Sequence, residues 1–497
     1  MTVASVPSIP EGWEAVIGLE IHVQLNTRSK MFCRCANVSG GEPNTRICPV
    51  CTAHPGVLPV PNRAAVEKSI LVGLALGSRI AERSIFYRKN YFYPDSPKAY
   101  QISQYDEPLC VGGSLDVLGP DGVDTVRFVR AHLEEDAAKT IHAGGGSGRI
   151  AGSTGSVVDF NRCGTPLLEI VTEPDLRTPE AARRFLTLLK ATIQAIGVSD
   201  CDMEKGSLRC DANVSLRRPG EQEFRPKAEL KNMNSFRFLE RGIEAELRRQ
   251  ASIYEAGGTI TLQTLHYDPQ GDELTVLRSK EEADDYRYFP EPDLVPMEPS
   301  AELIERLRCE LPELPAARAM RFVSEHGLSR QDADVLNQSP AMAAYFEQLA
   351  ALAGDAKASA NWIMGDLSAY LNEHALAIEE SPVAPAALAQ LIGLVGEGTL
   401  GSAGAKQVFA ALAAGEGGGD ARVIVEQRGL AQIADQGALR VVVEGVVAAN
   451  PGQAAEYRAG KDALLGYFVG QVMRSTGGRA EPRAVQELLR EALGASS

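Results

Sequence analysis

The segment Val16-Ile-Gly-Leu-Glu-Ile-His-Val-Gln-Leu alternates cleanly between apolar and polar residues. A period of two puts Leu19, Ile21, Val23 and Leu25 on one face of a strand and Glu20, His22 and Gln24 on the other. The chain must therefore build a sheet with one packed face, and the opposite face sets a carboxylate beside an imidazole. A solvent-facing polar strand has the same letters, so other segments must decide.

Two further segments carry the same kind of polar face. Val129-Arg-Ala-His-Leu-Glu places Arg130, His132 and Glu134 together, ahead of the acidic run Glu134-Glu-Asp136. Pro166-Leu-Leu-Glu-Ile-Val-Thr-Glu sets Glu169 among Leu167, Leu168, Ile170 and Val171, where a buried carboxylate is costly without a counter-charge or a metal. Brought together, Glu20, His22, one or both of Glu134 and Glu135, and Glu169 make an oxygen-rich site with one nitrogen. Such a site suits Mg²⁺ that keeps waters and holds phosphate oxygens. Left apart, they are ordinary ion pairs, and the sequence leaves both readings open.

A second polar wall is predicted in Leu208-Arg-Cys-Asp-Ala-Asn-Val-Ser-Leu-Arg, where Leu208, Cys210, Ala212, Val214 and Leu216 face inward. Arg209, Asp211, Asn213, Ser215 and Arg217 face the other way, able to grip a phosphate or a polar substrate. Lys227, Glu229 and Lys231 repeat the pattern on the next strand, and Asn234 or Ser235 then caps a helix running through Arg248 whose positive end could help hold an anion. Paired charges on an exposed sheet explain the same letters and are the stronger reading of this segment taken alone. Between Arg88 and Asp106, the residues Tyr91, Phe92, Tyr93, Tyr100 and Tyr105 stand close to Lys89 and Lys98, a density that suits a nucleotide base and its phosphates.

Cys33-Arg-Cys35 followed by Cys48-Pro-Val-Cys51 is the most specific spacing in the chain. Two close pairs can place four thiolates around a structural Zn²⁺, and a closed site of that kind folds a loop without doing chemistry. Cys110, Cys163, Cys201, Cys210 and Cys309 have no partner spacing and read as packing residues. Gly144-Gly-Gly-Ser-Gly148 lacks the Lys-Ser/Thr ending of a phosphate loop and reads as a hairpin tip. Thr178-Pro-Glu-Ala-Ala, with Gly197 beyond, is a capped structural helix.

Composition sets the frame around these motifs. With 497 residues, 44% hydrophobic and 23% charged, the chain is long enough for about three domains, and disorder as the main state is excluded. It shows no apolar run long enough for a membrane span and no secretory leader, so a cytosolic location is expected, with reduced thiols. The formal net charge of -15 disfavours nucleic acid as a partner of the average surface, though not of a patch. Signals of a mixed sheet run from Gly18 to about Pro292 and helical signals from about Pro299 to Ala405, where Trp362, Ile363, Met364, Leu367 and Leu371 share a face. The Ala- and Gly-rich remainder is interrupted by Gly417-Gly-Gly, which reads as a flexible joint.

Six motifs together resemble a known family. Val16-Ile-Gly-Leu-Glu-Ile-His-Val, Arg88-Lys-Asn-Tyr-Phe-Tyr-Pro-Asp, Pro97-Lys-Ala-Tyr-Gln-Ile-Ser-Gln, Asn161-Arg-Cys-Gly-Thr-Pro-Leu-Leu-Glu-Ile-Val, Lys231-Asn-Met-Asn-Ser-Phe and Asp285-Tyr-Arg-Tyr-Phe-Pro-Glu-Pro-Asp resemble the GatB/GatE family, the B subunits of glutamyl/aspartyl-tRNA amidotransferases. Gly460-Lys-Asp-Ala-Leu-Leu-Gly-Tyr-Phe-Val-Gly-Gln-Val-Met-Arg resembles that family's YqeY-like tail.

The resemblance implies an α+β chain. It would comprise a mixed-sheet cradle like glutamine synthetase and the guanidino kinases (1–295), an all-α helical domain (296–405) and a small α-helical tail (406–497). The implied activity is that of a ligase. ATP phosphorylates the side-chain carboxylate of Glu on tRNA(Gln) or Asp on tRNA(Asn), and ammonia then displaces phosphate. The family's glutaminase, the A subunit, supplies the ammonia from glutamine through a tunnel, and the C subunit holds the pair together. Glu20, His22, Glu134/Glu135 and Glu169 match the family's Mg²⁺ ligands, and Lys98 matches a lysine near the tunnel mouth, with Lys89 in the adjoining motif. Catalytic roles are expected for Lys89, Lys98 and Glu135, and ATP or substrate contacts for Tyr91, Tyr93, Lys98, Tyr100, Arg209, Asp211, Asn213, Lys231, Asn234 and Ser235. Some family members lack the zinc cysteines, so zinc is not required by the reaction. The tail, near neutral beside a strongly acidic body, offers Arg474, Arg479, Arg483 and Arg490 to tRNA phosphates. A tRNA-binding scaffold without kinase activity, or the archaeal protein specific for Glu-tRNA(Gln), is the alternative. The archaeal form carries a large inserted domain for which this chain has no room after Pro292, and a dead scaffold would have lost the matching ligands.

Overall fold

A computed structural model describes residues 9–119, 122–144, 153–231, 233–269, 271–279, 286–433 and 436–494. The strands of the first part of the chain are β1 (Glu14–Gln24), β2 (Arg79–Ile80), β3 (Tyr87–Asn90), β4 (Tyr100–Ser103), β5 (Cys110–Val111), β6 (Ser114–Leu118), β7 (Val123–Glu135) and β8 (Lys139–Ala143). They continue with β9 (Gly155–Asp159), β10 (Pro166–Thr172), β11 (Leu208–Arg217), β12 (Ala228–Lys231), β13 (Gln263–Asp268), β14 (Glu273–Ser279) and β15 (Phe289–Pro290). Four helices, α1 (Arg63–Ala75), α2 (Pro179–Ala195), α3 (Phe236–Glu255) and α4 (Ala301–Cys309), accompany them.

Among the described residues the main sheet has ten strands in the order β14-β13-β12-β11-β1-β10-β7-β5-β2, with β6 on β7. It is mixed, because β12 and β13 run parallel while the other pairs are antiparallel. The alternation read in the sequence decides which face is covered. Ile21, Val23, Leu168, Ile170, Cys210 and Ala212 point to one side, where they share a core with Phe185 and Leu189 of α2 and Ile243 and Leu247 of α3. Each large apolar side chain withdrawn from water stabilises the fold by about 1.5–3 kcal/mol. Thr178 caps α2 by accepting from the Ala181 amide at 3.0 Å, with Pro179 in the first turn.

The chain divides into two compact units, residues 1–320 with 337–340 and residues 321–336 with 341–497, and the division falls inside α5 (Pro315–His326). In the first unit, α4 packs on the core through Leu303 and Leu307, and Arg306 reaches Glu67 of α1 at 3.1 Å. The helical signal after Pro299 thus begins on the sheet-bearing unit. Cys309, read as a packing residue, lies exposed at the end of α4, because the buried stripe of that helix runs through Leu307.

The second unit is helical: α6 (Arg330–Leu336), α7 (Pro340–Ala353), α8 (Ala356–Trp362), α9 (Ser368–Glu373), α10 (Pro385–Gly396), α11 (Ser402–Ala413), α12 (Ala421–Arg428), α13 (Gln436–Ala449), α14 (Pro451–Arg458), α15 (Leu464–Ser475) and α16 (Pro482–Gly494). A π turn over Ile363–Leu367 joins α8 to α9. The wide turn shifts the register, so Ile363, Leu367 and Leu371 are buried while Trp362 and Met364 stay half-buried, which breaks up the single face expected for them. The glycine run does not read as a joint. Glu416–Gly419 is a tight turn between α11 and α12, and a Cβ on Gly417, at φ +63°, would come within 2.6 Å of Ile424. Leu439, Val443, Phe468, Val472, Val485 and Leu489 form a separate core for α13 to α16.

No helix among the described residues is long and apolar enough to cross a membrane. Gly145 to Gly148, expected at a hairpin tip, lie outside the described residues, between the paired strands β8 and β9.

Candidate active site

Register builds the site on the face of the sheet opposite α2 and α3. His132 of β7 lies opposite Glu169 of β10, Glu169 opposite His22 of β1, and His22 opposite Arg209 of β11. Four polar side chains therefore form one row across four strands. On the neighbouring pleats of the same face, Glu20 lies opposite Asp211, and Glu134 lies opposite Leu167.

The row closes into a cluster. His22 Nε2 stands 3.4 Å from Glu169, 3.7 Å from Glu134 and 3.8 Å from Glu20. His132 Nε2 is 3.6 Å from Glu169 and 3.9 Å from Glu134. One ligand atom from each of Glu20, His22 and Glu169 falls within a 4.8 Å span, and the same holds for His132, Glu134 and Glu169.

Crowding marks the charge balance here. Burial and the Glu169 charge push the Glu134 carboxyl up to about 7 and raise that of Glu20 as well. Burial opposes the charge on His22, yet the hydrogen bond and charge of Glu169, with Glu134 and Glu20, raise it to about 9. Burial takes His132 down to about 4. It also works against ionised Glu169, but the two imidazoles hold that carboxyl below its ordinary range. Three carboxylates sharing a buried face with two imidazoles fit a hard divalent cation.

Glu134 and Glu135 are separated by the pleat. Glu134 turns to the imidazoles and accepts from Ser103 Oγ at 3.2 Å. Glu135, at the end of β7, points to the other side of the cavity wall, where its Oε2 accepts from Lys98 Nζ at 2.6 Å and its Oε1 from the Ile102 amide at 3.2 Å. Of the two residues offered by the sequence, Glu134 joins the cluster around the imidazoles and Glu135 does not, because consecutive strand residues project in opposite directions.

A cavity of about 240 Å³ opens beside the cluster, lined by His22, Lys89, Tyr91, Lys98, Tyr100, Glu134, Glu135 and Arg209. Lys89 Nζ lies 4.8 Å from the centre of the Tyr286 ring. Burial opposes its charge, but Tyr288, Glu134 and Glu169 more than offset this and raise its pKa. Arg209 pairs with the buried Asp136 at 3.0 Å, and Gln24 donates to the same carboxylate at 2.7 Å. A second cavity of about 200 Å³ shares Pro97, Lys98, Tyr100 and Glu135 with the first and is walled by Phe32, Cys33, Cys51 and Gly164.

Other expected residues are placed elsewhere. Tyr93 stacks on Tyr91 with ring centres 5.4 Å apart and is largely exposed. Asp211, Asn213 and Lys231 continue the polar face along β11 and β12 outside the cavity lining; Lys231 Nζ is 2.6 Å from Asp211. Asn213 Oδ1 is buried without a hydrogen-bond partner among the described residues. Ser235, rather than Asn234, caps α3 by accepting from the Phe238 amide at 3.1 Å. That helix runs on to Glu255, past Arg248, because Gln250 and Ala251 keep its buried face going. In the second unit, Arg474, Arg479, Arg483 and Arg490 are all exposed, and Arg479 also donates to the carbonyls of Thr476 at 3.1 Å and Gly429 at 3.3 Å.

Sequence reasoning missed four members of the site. His132 was legible on the same face as Glu134, and Asp136 ended the acidic run; Tyr286 and Tyr288 stood in a motif with nothing local to bring them to Lys89.

The four cysteines converge: Sγ atoms of Cys33, Cys35, Cys48 and Cys51 fall within a 4.8 Å span, and the Cys48 amide donates to Cys51 Sγ at 3.2 Å. The hydrogen bond from Cys33 holds the Cys51 thiol well below its ordinary pKa, with help from the Lys30 ammonium. Four sulfurs in this arrangement are the donor set of a closed tetrahedral metal site.

The sequence matches the family described as the GatB/GatE catalytic domain over residues 15–305 and that described as the GatB domain over residues 344–493. It is 52% identical over 483 residues to the B subunit of the aspartyl/glutamyl-tRNA(Asn/Gln) amidotransferase of Moorella thermoacetica, covering 97% of this chain and 100% of that one. The corresponding protein of Trichlorobacter lovleyi is 49% identical over 481 residues, with 97% and 99% covered. That of Ralstonia nicotianae is 50% identical over 493 residues, with 97% and 100% covered. The chain belongs to the GatB family, the B subunits of tRNA-dependent amidotransferases.

Proposed function

We propose that this chain, as the B subunit of a tRNA-dependent amidotransferase, activates the side-chain carboxylate of Glu on tRNA(Gln), of Asp on tRNA(Asn), or of both, and then converts it to the amide. The observation that carries the reading is the row of His132, Glu169, His22 and Arg209 across four strands, with Glu20 and Glu134 on the adjoining pleats. Such a surplus of buried carboxylate oxygen suits Mg²⁺, and Glu20, His22, Glu134 and Glu169 would hold it, with His132 beside them. When bound, Mg²⁺ neutralises charge on the phosphates of ATP.

The remaining roles follow from the cavity. Lys89, against Tyr286 and near the carboxylate cluster, binds phosphate oxygens; Arg209, on the same row, orients them. Tyr91, Tyr93 and Tyr100 offer ring faces to the base or to the aminoacyl end. The aminoacyl carboxylate attacks the terminal phosphorus and ADP leaves, which turns a poor electrophile into an acyl phosphate. Ammonia then attacks the acyl carbon and phosphate departs. Glu135, held by Lys98 on the wall between the two cavities, takes up a proton from the attacking nitrogen. Asp211, Asn213 and Lys231, with Asn234 and Ser235 at the head of α3, extend the polar face toward the rest of the substrate.

Ammonia is supplied by a glutamine-hydrolysing A subunit, and the C subunit joins the two in a cytoplasmic complex. Residues 1–295 form the cradle, 296–405 the helical domain and 406–497 the tail, where Arg474, Arg483 and Arg490, and Arg479 in part, meet tRNA phosphates. Cys33, Cys35, Cys48 and Cys51 bind a structural zinc ion.

The experiment is to combine the chain with its A and C partners, ATP, glutamine and either Glu-tRNA(Gln) or Asp-tRNA(Asn), and to identify the amide formed. Formation of Gln-tRNA or Asn-tRNA with ADP and phosphate supports the reading. ATP cleavage that does not depend on misacylated tRNA, with no amide formed, refutes it.

A further inference from the structure

Lys30 is wholly buried, an uncommon place for an ammonium group. Its Nζ meets the Phe160 carbonyl at 3.2 Å and Cys51 Sγ at 3.7 Å, and among the described residues no carboxylate pairs with it. A buried cation is costly unless an anion faces it. Four thiolates around one divalent cation leave a net negative site, and Cys51 belongs to that set. Ionised around a metal, the four cysteines give the lysine that counter-charge, with Cys51 Sγ as its nearest sulfur contact.

The same neighbourhood leads to the active cavity. The Met31 amide donates to the Gly164 carbonyl at 2.7 Å, the Gly164 amide donates to the Asp136 carbonyl at 2.9 Å, and the Cys163 thiol donates to the Cys51 carbonyl at 3.3 Å. Gly164, at φ +83°, stands at the centre. A Cβ there would lie 3.6 Å from Cys51 Cβ, 3.6 Å from Lys30 Cδ and 3.8 Å from Glu135 Oε2. One glycine therefore separates the thiol cluster, the buried ammonium and the carboxylate that holds Lys98.

We propose that Lys30 is the counter-charge of the metal–thiolate site and the positioning residue that ties this site to the 160–166 loop behind Glu135 and Asp136. The inference rests on the reading of the four cysteines as a zinc site. Charge on the ammonium draws the Cys51 thiolate and the Phe160 carbonyl to one point, so the metal knuckle and the loop entering β10 are fixed together. Outer-shell partners of this kind set metal affinity and ligand basicity, and their loss weakens binding by roughly 10- to 100-fold. Catalytic groups are untouched by the metal, but the wall that carries Glu135 is held by it.

The test uses the full-length chain and a Lys30→Met variant, which keeps most of the length of the side chain and removes its charge. Wild-type protein should carry about one zinc per chain, and Lys30→Met should lose it to a chelator about tenfold faster or more. With Co²⁺ in place of zinc, the sulfur-to-metal absorption band should shift in Lys30→Met, since the Cys51 thiolate loses its cationic neighbour. A purely structural role for Lys30 leaves that band unmoved, and an unmoved band with unchanged metal release overturns the proposal. Wild-type protein that binds neither zinc nor cobalt overturns the zinc reading itself, and the coupling with it. A second measurement needs no variant: an amine-acylating reagent should leave Lys30 unmodified in zinc-loaded wild type and modify it after the metal is stripped. Equal modification in both states overturns the coupling even if Lys30→Met does not fold.

Discussion

Lys98 and Glu135 form a buried ion pair, Nζ to Oε2 2.6 Å, on the wall shared by the two cavities of the first unit. Little of either side chain is exposed. Removing one partner strands the other in a place with few alternatives. Lys98→Met should therefore destabilise the fold by about 3–5 kcal/mol, and Lys98→Met combined with Glu135→Gln should regain much of that loss. Denaturant unfolding of the two single variants and the double variant measures the coupling. Independent, additive effects would show that the pair does not hold this wall together.

Glu169→Gln keeps the shape of the side chain and removes the charge at the centre of the row. ATP cleavage dependent on misacylated tRNA should fall roughly 100-fold or more, on the scale seen when one preorganised electrostatic group is lost. Hydrolysis of glutamine by the A subunit proposed above should remain measurable. Wild-type ATP turnover in this variant would remove Glu169 from the site.

Gly164→Ala isolates backbone strain from crowding. The nearest atoms to an added Cβ are at 3.6 Å, an ordinary contact, while φ is +83°. The expected cost is about 1–3 kcal/mol, from the left-handed conformation alone. A thermal unfolding midpoint equal to that of the wild type would show that the loop relaxes without penalty.

A chain ending after Leu430 removes α13 to α16 and their own core as a block. In complex with its partners it should bind tRNA more weakly, and its affinity should depend less steeply on salt, because fewer phosphates are neutralised. Filter binding across a range of salt concentrations reads both quantities. An unchanged affinity and slope would place tRNA contact on the residues before α13.

Much of this molecule is written in its local sequence. The period-two pattern of β1 and β11 fixes which side chains enter the core, because a strand with one buried face has a single solution for its alternation. The capping of α2 by Thr178 and the two cysteine pairs are likewise local, set by spacings of a few residues. The family was legible too, since its motifs are long and uninterrupted.

Tertiary structure alone decided the rest. Which polar residues meet depends on register between strands far apart in sequence: His22 of β1 finds Glu169 of β10, and that pairing brings in His132, which the sequence offered without a partner. Alternation along β7 puts Glu134 on the face of His132, but that it also meets His22 of β1, and that Glu135 meets Lys98, came only from the fold. The wide turn at Ile363–Leu367 and the tight packing of Gly417 against Ile424 likewise depend on neighbours rather than on their own letters. A sequence specifies the faces of its elements through short-range geometry, whereas contacts between elements follow from which faces can be buried together, and only the folded chain satisfies that condition everywhere at once.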